Sequence, residues 1–295
     1  MVPLPMSALT DPSEIRRLLD AYGFRFSKSL GQNFLIDASV PERIADSVVA
    51  DRECSVLEIG PGIGCLTAEL SARAGQVLSV ELDRRLQPLL RETLSSAENT
   101  DVLFADIMKL DLRQLASERM TKPTKLVCAN LPYNITSPVL TSLIEADCFE
   151  RICVMIQKEV AERICAGPGT KDYGAFGLFV QWYYAPELLF TVPPHCFMPQ
   201  PKVTSAVIRL TRRTAPPAEV RDEKLLFHVI RAAFNQRRKT LTNALSAAEP
   251  QLSKANCERI LKLCDLDTNI RGEKLNLVDF ARISNEIADF ESADL

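Results

Sequence analysis

Short apolar segments alternate with amphipathic ones from residue 55 onward, and this alternation limits the chain to a small set of folds. Six segments have the length and apolar content of buried strands: SVLEIG (55–60), QVLSVEL (76–82), TDVLFAD (100–106), TKLVCANL (124–131), RICVMIQ (151–157) and TSAVIRL (204–210). The segments LTAELSARA, DRRLQPLLRETLSS and SPVLTSLIEA between them have helical Leu and Ala spacing. The pattern predicts an α/β domain with a doubly wound, mostly parallel sheet.

The chain changes character after residue 210. The segment TRRTAPPAEV has the prolines and polar residues of a linker. Four helical segments follow it, without a strand signal: KLLFHVIRAAF, RRKTLTNALSAA, ANCERILKLC and LNLVDFARISNEIADF. We therefore predict a catalytic α/β domain over residues 1–211, with residues 1–25 as an N-terminal extension, and a smaller all-helical C-terminal domain over residues 218–295.

Bulk features narrow the class of protein. The N-terminal residues lack the pattern of a signal peptide, and no stretch approaches the roughly 18 apolar residues of a membrane span, so a cytoplasmic protein without membrane contact is expected. Nine scattered cysteines and two histidines offer no metal-ligand spacing, so no metal site is predicted. In the absence of an evident self-association segment, a monomer is expected.

A glycine-rich loop directly follows the first predicted strand. Gly60, Gly62 and Gly64 alternate in EIGPGIG before a helical segment, which allows close backbone approach to a ligand. A dinucleotide fingerprint would require glycine at position 65, where Cys65 stands. The acidic Glu58 at the start of the loop suits a cationic ligand better than a pyrophosphate, and so favours S-adenosylmethionine.

The next two strands also end in acidic residues. Glu81 follows the second strand at a position where a carboxylate can accept hydrogen bonds from both ribose hydroxyls. Asp106 at the end of the third strand can meet the edge of an adenine, and the apolar Ile107 its face. Leu82 is assigned to the same site. Together with the glycine loop, these residues predict a bound nucleoside cofactor.

The fourth strand ends in Asn130-Leu131-Pro132-Tyr133, which we predict to be catalytic. An exocyclic adenine amine is a poor nucleophile, because its lone pair is delocalised into the ring. The Asn130 side-chain carbonyl and the main-chain carbonyl of Leu131 or Pro132 can accept its N–H groups while the Tyr133 ring stacks on the base. In isolation this motif would more often be a proline turn with a core tyrosine; its place after a cofactor loop favours the catalytic interpretation.

A second aromatic residue and a basic segment follow. An adenine must leave its stack to enter such a pocket, and Phe197 is predicted to close its other face, unless it is instead an aromatic plug under a loop. Residues 202–240 carry ten Lys or Arg and three acidic residues in a chain of net charge −3. This asymmetry predicts an RNA-binding face, although a solvated helix face would have the same composition. The residues assigned to it are Lys202, Arg212, Arg213, Arg237, Arg238 and Lys239.

Seven motifs in order give the chain a close resemblance to the KsgA/RsmA family of small-subunit rRNA adenine dimethyltransferases, over about residues 26–287. The motifs are SLGQNFL (29–35), EIGPGIGCLT, VELD, NLPYNITSP, QKEVAERI, FMPQPKVTSAVIRL and AFNQRRKT. The resemblance implies a Rossmann-like class I methyltransferase domain and the following S-adenosylmethionine contacts: Asn33, Leu35, Gly60, Glu81, Asp106 and Asn130.

The resemblance also implies a substrate. The family converts two adjacent adenosines in a hairpin loop near the 3′ end of 16S rRNA to N6,N6-dimethyladenosine within the assembling small (30S) subunit, and so contributes to ribosome biogenesis. NLPYN and AFNQRRKT favour this branch over the Erm-type branch that modifies large-subunit rRNA. The same motifs are compatible with a DNA adenine methyltransferase, or with an assembly factor that uses the cofactor only for ordering.

Overall fold

The structure is a computed structural model that describes residues 6–27, 31–249 and 252–293; Ser29 and Leu30 of the first family motif lie outside these ranges. The chain divides into two compact units. The first, called the sheet unit, comprises Met1–Ala161 and Pro186–Arg212, and the second, called the helical unit, comprises Glu162–Ala185 and Arg213–Leu295. The division at residue 212 is close to the predicted one, but residues 162–185 group with the helical unit instead of the α/β domain.

The strands follow the order that the sequence pattern predicts, with three additions. In the described chain they are β1 (Phe34–Leu35), β2 (Cys54–Ile59), β3 (Gln76–Glu81), β4 (Thr100–Phe104), β5 (Thr124–Asn130), β6 (Arg151–Gln157), β7 (Tyr184–Val192), β8 (Phe197–Met198) and β9 (Ser205–Arg212). All six predicted strands are confirmed within two residues at each end. The sequence did not predict β1, β7 or β8.

Seven strands form one sheet in the order β4-β3-β2-β5-β6-β9-β7, and β1 pairs with β8 separately. Strands β2 to β6 are mutually parallel where they pair, and β9 is antiparallel to β6. Chain order reverses direction across the sheet between β2 and β5. A crevice therefore opens at the carboxyl ends of these two strands, where doubly wound sheets bind ligands.

Helices cover the sheet and form the second unit. Those beginning in the sheet unit are α1 (Pro12–Ala21), α2 (Ser39–Val48), α3 (Cys65–Arg73), α4 (Gln87–Thr93), α5 (Leu112–Arg119), α6 (Thr136–Glu145) and α7 (Lys158–Cys165). Those of the helical unit are α8 (Ala175–Tyr183), α9 (Glu223–Asn235), α10 (Leu241–Ala248), α11 (Lys254–Leu263) and α12 (Leu277–Ala293). The four helices predicted after residue 210 are thus confirmed.

Apolar packing explains why residues 162–185 group with the later helices. Tyr173, Leu178 and Trp182 are at most 2% exposed and belong to one apolar cluster with residues of α9, α11 and α12, including Leu226, Ile260 and Phe280. The Trp182 indole N–H donates to Glu223 at the start of α9. No local sequence pattern marks these residues as partners of helices about 50 to 100 positions later, which is why the predicted domain boundary differed.

None of the helices within the described ranges is long and apolar enough to cross a membrane. All nine cysteines are free thiols, six of them buried. Across the described residues no group of three or more His, Cys, Asp or Glu side chains is placed to hold a metal ion.

Candidate active site

A cavity opens at the carboxyl ends of β2 to β5 in the sheet unit, and most of the predicted site residues line it. They come from the segment around β1, from the glycine loop after β2, and from the ends of β3, β4, β5 and the start of β8. The predicted residues that line the cavity are Asn33, Leu35, Gly60, Gly62, Glu81, Leu82, Asp106, Ile107, Asn130, Leu131, Pro132, Tyr133 and Phe197. The parallel strands bring these separate motifs together at one edge of the sheet.

The glycine loop forms the floor of the cavity with main chain at Gly60 and Gly62, beside the side chains of Pro61 and Ile63. Gly62 has a φ of +61°, and a Cβ atom there would lie 3.1 Å from the Phe34 ring, so backbone conformation and packing both require glycine. Gly64 has a φ of +93° and immediately precedes α3. The loop therefore brings its main chain close to any ligand in the cavity.

Glu81 is held in place by main-chain donors on both sides. Its Oε1 accepts from the Asp83 N–H at 2.7 Å and its Oε2 from the Gly62 N–H at 3.3 Å. Burial raises the pKa of this carboxyl, while these N–H groups act in the opposite direction by favouring the charged form. Glu81 is therefore an oriented carboxylate in a mostly apolar cavity. Such a group can accept hydrogen bonds from the hydroxyl groups of a ligand.

Gln32 connects the β1 segment to Asp83, the residue whose main-chain N–H donates to Glu81, and the sequence reasoning did not single it out. Its Nε2 donates to Asp83 Oδ2 at 2.9 Å, and its Oε1 accepts from the Ser27 N–H at 3.0 Å. Arg85 forms an ion pair with Asp83 at 2.6 Å and, with Gln32, lowers the pKa of that carboxyl. Only the position of Gln32 beside Asn33 could have indicated its place.

Asp106 and its neighbours form the wall of the cavity at the end of β4. Asp106 Oδ1 caps a short 3₁₀ helix (Ile107–Lys109) by accepting from the Met108 N–H at 3.1 Å. Ile107 is buried at 7% exposure, whereas Leu82, which follows the neighbouring strand β3, is 53% exposed. This wall therefore presents one carboxylate beside apolar surface, a combination suited to the edge and faces of an adenine.

Within the described ranges, one hydrogen bond orients the Asn130 amide. Its Nδ2 donates to the Asn33 main-chain carbonyl at 3.3 Å, while the Asn33 amide donates to the Gly31 carbonyl at 3.0 Å. Because the Asn130 nitrogen is engaged with the β1 segment, its Oδ1 is the atom available to accept an N–H group from a substrate.

The two aromatic residues lie on short elements. Tyr133 begins a three-residue 3₁₀ helix (Tyr133–Ile135) and its hydroxyl is 2.8 Å from the Ser205 hydroxyl on β9. Burial raises the pKa of the Tyr133 phenol. Phe197 is 2% exposed and pairs with Leu35 through the β1–β8 ladder. Both rings line the cavity that Asn130 lines.

Two predicted cofactor residues, Glu58 and Gly64, lie outside the cavity lining. Glu58 is 1% exposed, and its Oε2 accepts from Thr67 at 2.7 Å and from Ser79 at 2.6 Å. Burial raises the pKa of this carboxyl to about 7. Its role in this structure is to join β2, β3 and α3 beneath the glycine loop, while Gly64 packs against Leu94.

The predicted RNA-binding residues differ in their surroundings. Arg212 forms an ion pair with Asp147, Arg213 donates to the Gln181 carbonyl, and Arg237 pairs with Glu273 at 3.0 Å. Lys202, Arg238 and Lys239 are exposed, the last two in the turn between α9 and α10. Lys202 and Arg212 belong to the sheet unit and the other four residues to the helical unit.

The sheet order, the glycine loop and the carboxylates at successive strand ends define a Rossmann-like class I methyltransferase. The chain belongs to the ribosomal RNA adenine dimethylase family, whose model matches residues 23–289. Members of this family use S-adenosylmethionine as the methyl donor. The cavity suits that molecule because it combines an oriented, buried carboxylate, a glycine floor and apolar walls.

Curated relatives and solved structures agree with this family. The chain is 47% identical to the ribosomal RNA small subunit methyltransferase A of Lachnoclostridium phytofermentans, covering 96% of this chain and 98% of the relative. It is 44% identical to the protein of that name from Alkaliphilus metalliredigens, covering 96% and 99%. The 23S rRNA methyltransferase ErmE has a similar structure, with a TM-score of 0.68, 27% identity, and coverage of 86% and 99%. A Plasmodium falciparum dimethyladenosine transferase shares the fold, with a TM-score of 0.75, 23% identity, and coverage of 88% and 98%.

Proposed function

We propose that this protein transfers methyl groups from S-adenosylmethionine to N6 of two adjacent adenosines in a hairpin loop near the 3′ end of 16S rRNA, within the assembling 30S subunit. The observation that carries the proposal is the Oδ1 acceptor atom of Asn130, which has no hydrogen-bond partner among the described residues; Asn130 lines one cavity together with Tyr133, Phe197 and Glu81. The small-subunit target is supported by the names of the curated relatives and by their coverage of nearly the whole chain. The cytoplasm, where ribosomes assemble in bacteria, is the proposed location, and a monomer the proposed state.

The cofactor half of the cavity is assigned to residues at the ends of β2, β3 and β4. Bound S-adenosylmethionine supplies an electrophilic methyl group on a sulfonium centre. Glu81 would accept both ribose hydroxyls, Asp106 would accept from the adenine amine, and Leu82 and Ile107 would pack on the adenine faces. Gly60 and Gly62, with Asn33 and Leu35 from the β1 segment, would enclose the remainder.

The chemistry on the target base needs acceptors more than a strong base. Asn130 Oδ1 would accept a hydrogen bond from one N–H of the adenine amine, and a main-chain carbonyl would accept one from the other N–H. These two hydrogen bonds would draw the nitrogen lone pair out of conjugation with the ring. The Pro132 carbonyl already accepts the Ile135 N–H and the Thr136 hydroxyl. We therefore assign the second acceptor to the Leu131 carbonyl. Tyr133 and Phe197 would stack on the two faces of the base and stabilise the charge developing on N6.

RNA contacts are proposed for the basic residues. Exposed Lys202, Arg238 and Lys239 would contact phosphates directly, since no acidic partner competes for them in the described part of the chain. Arg212, Arg213 and Arg237 would contribute less, because each already binds an acidic group or a carbonyl.

The proposal is tested by incubating purified protein with labelled S-adenosylmethionine and under-methylated small subunits, followed by mass spectrometry of the rRNA nucleosides. Labelled N6,N6-dimethyladenosine in 16S rRNA, lost in Asn130→Ala, is the expected result. Label in large-subunit rRNA would favour the activity named for ErmE, and label in duplex DNA a DNA methyltransferase. Binding to the subunit without any transfer would favour an assembly factor, and each of these three results would overturn the proposal.

A further inference from the structure

A buried serine on the sheet holds the tyrosine of the NLPY motif. Ser205 begins β9 and is 0% exposed. Its hydroxyl lies 2.8 Å from the Tyr133 hydroxyl, and either oxygen can donate in this hydrogen bond. A fully buried hydroxyl group without a hydrogen-bond partner destabilises a protein. The Tyr133 hydroxyl therefore also provides the hydrogen-bond partner that the buried Ser205 hydroxyl needs.

The two residues differ in how firmly the main chain fixes them. Ser205 pairs with Gln157 at the end of a continuous β6–β9 ladder that reaches Thr211. Tyr133 begins a 3₁₀ helix of only three residues, with no side-chain cap and a hydroxyl-bearing ring that is partly exposed. The hydrogen bond therefore ties a ring on a short turn to a strand in the sheet.

A phenol hydroxyl lies on the long axis of its ring. A hydrogen bond at that atom fixes where the far end of the ring points and limits its rotation about the Cα–Cβ bond. Phe197, which lines the same cavity, is fixed differently, because its main chain pairs with Leu35 and its side chain is buried. Tyr133 has no comparable main-chain support within the described residues around it.

We infer that Ser205 is a positioning residue that sets the orientation of the Tyr133 ring and thereby the placement of the target adenine against Asn130. The inference rests on the proposed function for its effect on methyl transfer, but the orientation of the ring does not depend on the substrate. A base that already carries one methyl group has a single N–H left to hold. The second transfer therefore relies more heavily on stacking, and loss of Ser205 should affect it more than the first.

The kinetic test compares Ser205→Ala, Tyr133→Phe and the double variant on under-methylated small subunits. Each single change removes one partner of the same hydrogen bond. We expect each to lower kcat about three- to tenfold, the range for one hydrogen bond, with the affinity for S-adenosylhomocysteine unchanged. The double variant should be no slower than the slower single variant, and monomethyladenosine should accumulate in all three.

Ser55→Ala is the matched control. Ser55 is also a 0% exposed strand serine, and its hydroxyl donates to Gln76 at 2.7 Å and accepts from the Lys122 N–H, outside the cavity lining. It should lower Tm without changing kcat or the ratio of products. If Ser205→Ala behaves as this control does, or if the two single penalties multiply in the double variant, the inference is wrong.

A spectroscopic test separates the inference from the proposed function. The chain has five tyrosines. Selective ¹³C labelling of their rings therefore gives few signals, and Tyr133→Phe identifies the one from Tyr133. In Ser205→Ala this signal should shift and change its line width, whereas in Ser55→Ala it should not. An unchanged Tyr133 signal in Ser205→Ala overturns the inference even if the enzyme is active. If the wild-type protein transfers no methyl group, the proposed function is wrong, but the Tyr133 signal still tests whether Ser205 orients the ring.

Discussion

The two halves of the cavity are built in different ways. In the cofactor half, the carboxylates of Glu81 and Asp106 follow parallel strands and accept main-chain N–H groups. In the half assigned to the target base, the part of the chain that the structure describes gives Asn130 and Tyr133 one side-chain hydrogen bond each to a distant segment, with Asn33 in one case and Ser205 in the other. The shape of the first half is therefore fixed by the main chain of the sheet, whereas the shape of the second half depends on contacts of individual side chains.

This difference has a consequence for function. A half that is fixed by the sheet is expected to keep its shape when a substrate enters or leaves. A half held by single side-chain contacts can open when a nucleotide must enter from its stack. Substitutions in the two halves should therefore affect different kinetic constants, and the following predictions test that separation.

The largest effect is expected for Asn130→Ala. Loss of the Oδ1 acceptor removes an interaction that strengthens as charge develops on N6, so kcat should fall about 100-fold or more. The affinity for S-adenosylhomocysteine, measured by calorimetry, should change much less. Asn134→Ala, a neighbouring asparagine that also lines the cavity, is the control, and a comparable loss in that variant would contradict the assignment.

Glu58→Gln should change the pH dependence of stability without changing cofactor binding. The native pKa of Glu58 is raised from 4.5 to about 7, so the folded state retains a proton that the unfolded state loses. This stabilisation is complete below pH 4.5 and is lost as the pH rises through 7, a decrease of roughly 3 kcal/mol in the free energy of unfolding. The neutral amide should remove that part of the pH dependence.

Urea unfolding at pH 5 and pH 8 measures this change, with the exposed Glu42→Gln as the control. Cofactor affinity should stay unchanged in Glu58→Gln, because the side chain lies below the glycine loop and outside the cavity. The same pH dependence in variant and wild type would show that Glu58 is ionised throughout.

Glu81→Gln should weaken cofactor binding with little effect on chemistry. Replacing a charged acceptor of hydrogen bonds costs about 1.5 to 3 kcal/mol, which raises Kd roughly 10- to 100-fold. At saturating S-adenosylmethionine, kcat should approach the wild-type value. Exposed Glu53→Gln is the control. If kcat stays low at saturating S-adenosylmethionine, the prediction that the two halves affect different kinetic constants is wrong.

The smallest effect is expected for Gln32→Ala. It breaks the contact with Asp83 that joins the β1 segment to the Glu81 loop, and should raise the Kd for S-adenosylhomocysteine roughly three- to tenfold. Gln32→Glu places a second carboxylate against Asp83, so its Kd should rise further. Equal affinities in the two variants would argue that this contact does not support the cofactor half.

For a physical reason, local sequence patterns predicted which residues line the cavity better than they predicted the contacts that orient those residues. Each of the strands β2 to β6 has a glycine or a polar residue at its end or within two residues after it, so the local pattern marks both the strand and the site residue. In contrast, Ser205 lies 72 positions from Tyr133, and no local pattern could pair the two residues. Gln32 and Asp83 are 51 positions apart and were not connected for the same reason.

Differences between the prediction and the structure also have physical causes. Glu58 was assigned to the cavity because it starts the glycine loop, but side chains alternate along a strand and Glu58 points to Ser79 and Thr67. Strand β7 was not predicted because it contains Pro186 and Glu187 and has mostly exposed or half-buried side chains. Strands β1 and β8 have two residues each, too few for any periodicity to appear.

The chain passes between the two units three times, after residues 161, 185 and 212, and this has a consequence for biosynthesis. Residues 162–185 leave the ribosome before the helices that complete their apolar core have been made, and β9 is added to the sheet only after they have passed. In the nascent chain, the apolar core around Tyr173, Leu178 and Trp182 therefore stays incomplete until residues 213–295 have been made. Translation that stops at Arg212 would leave these three side chains without a core, so a truncated product of that length should aggregate or be degraded instead of persisting as a free catalytic domain.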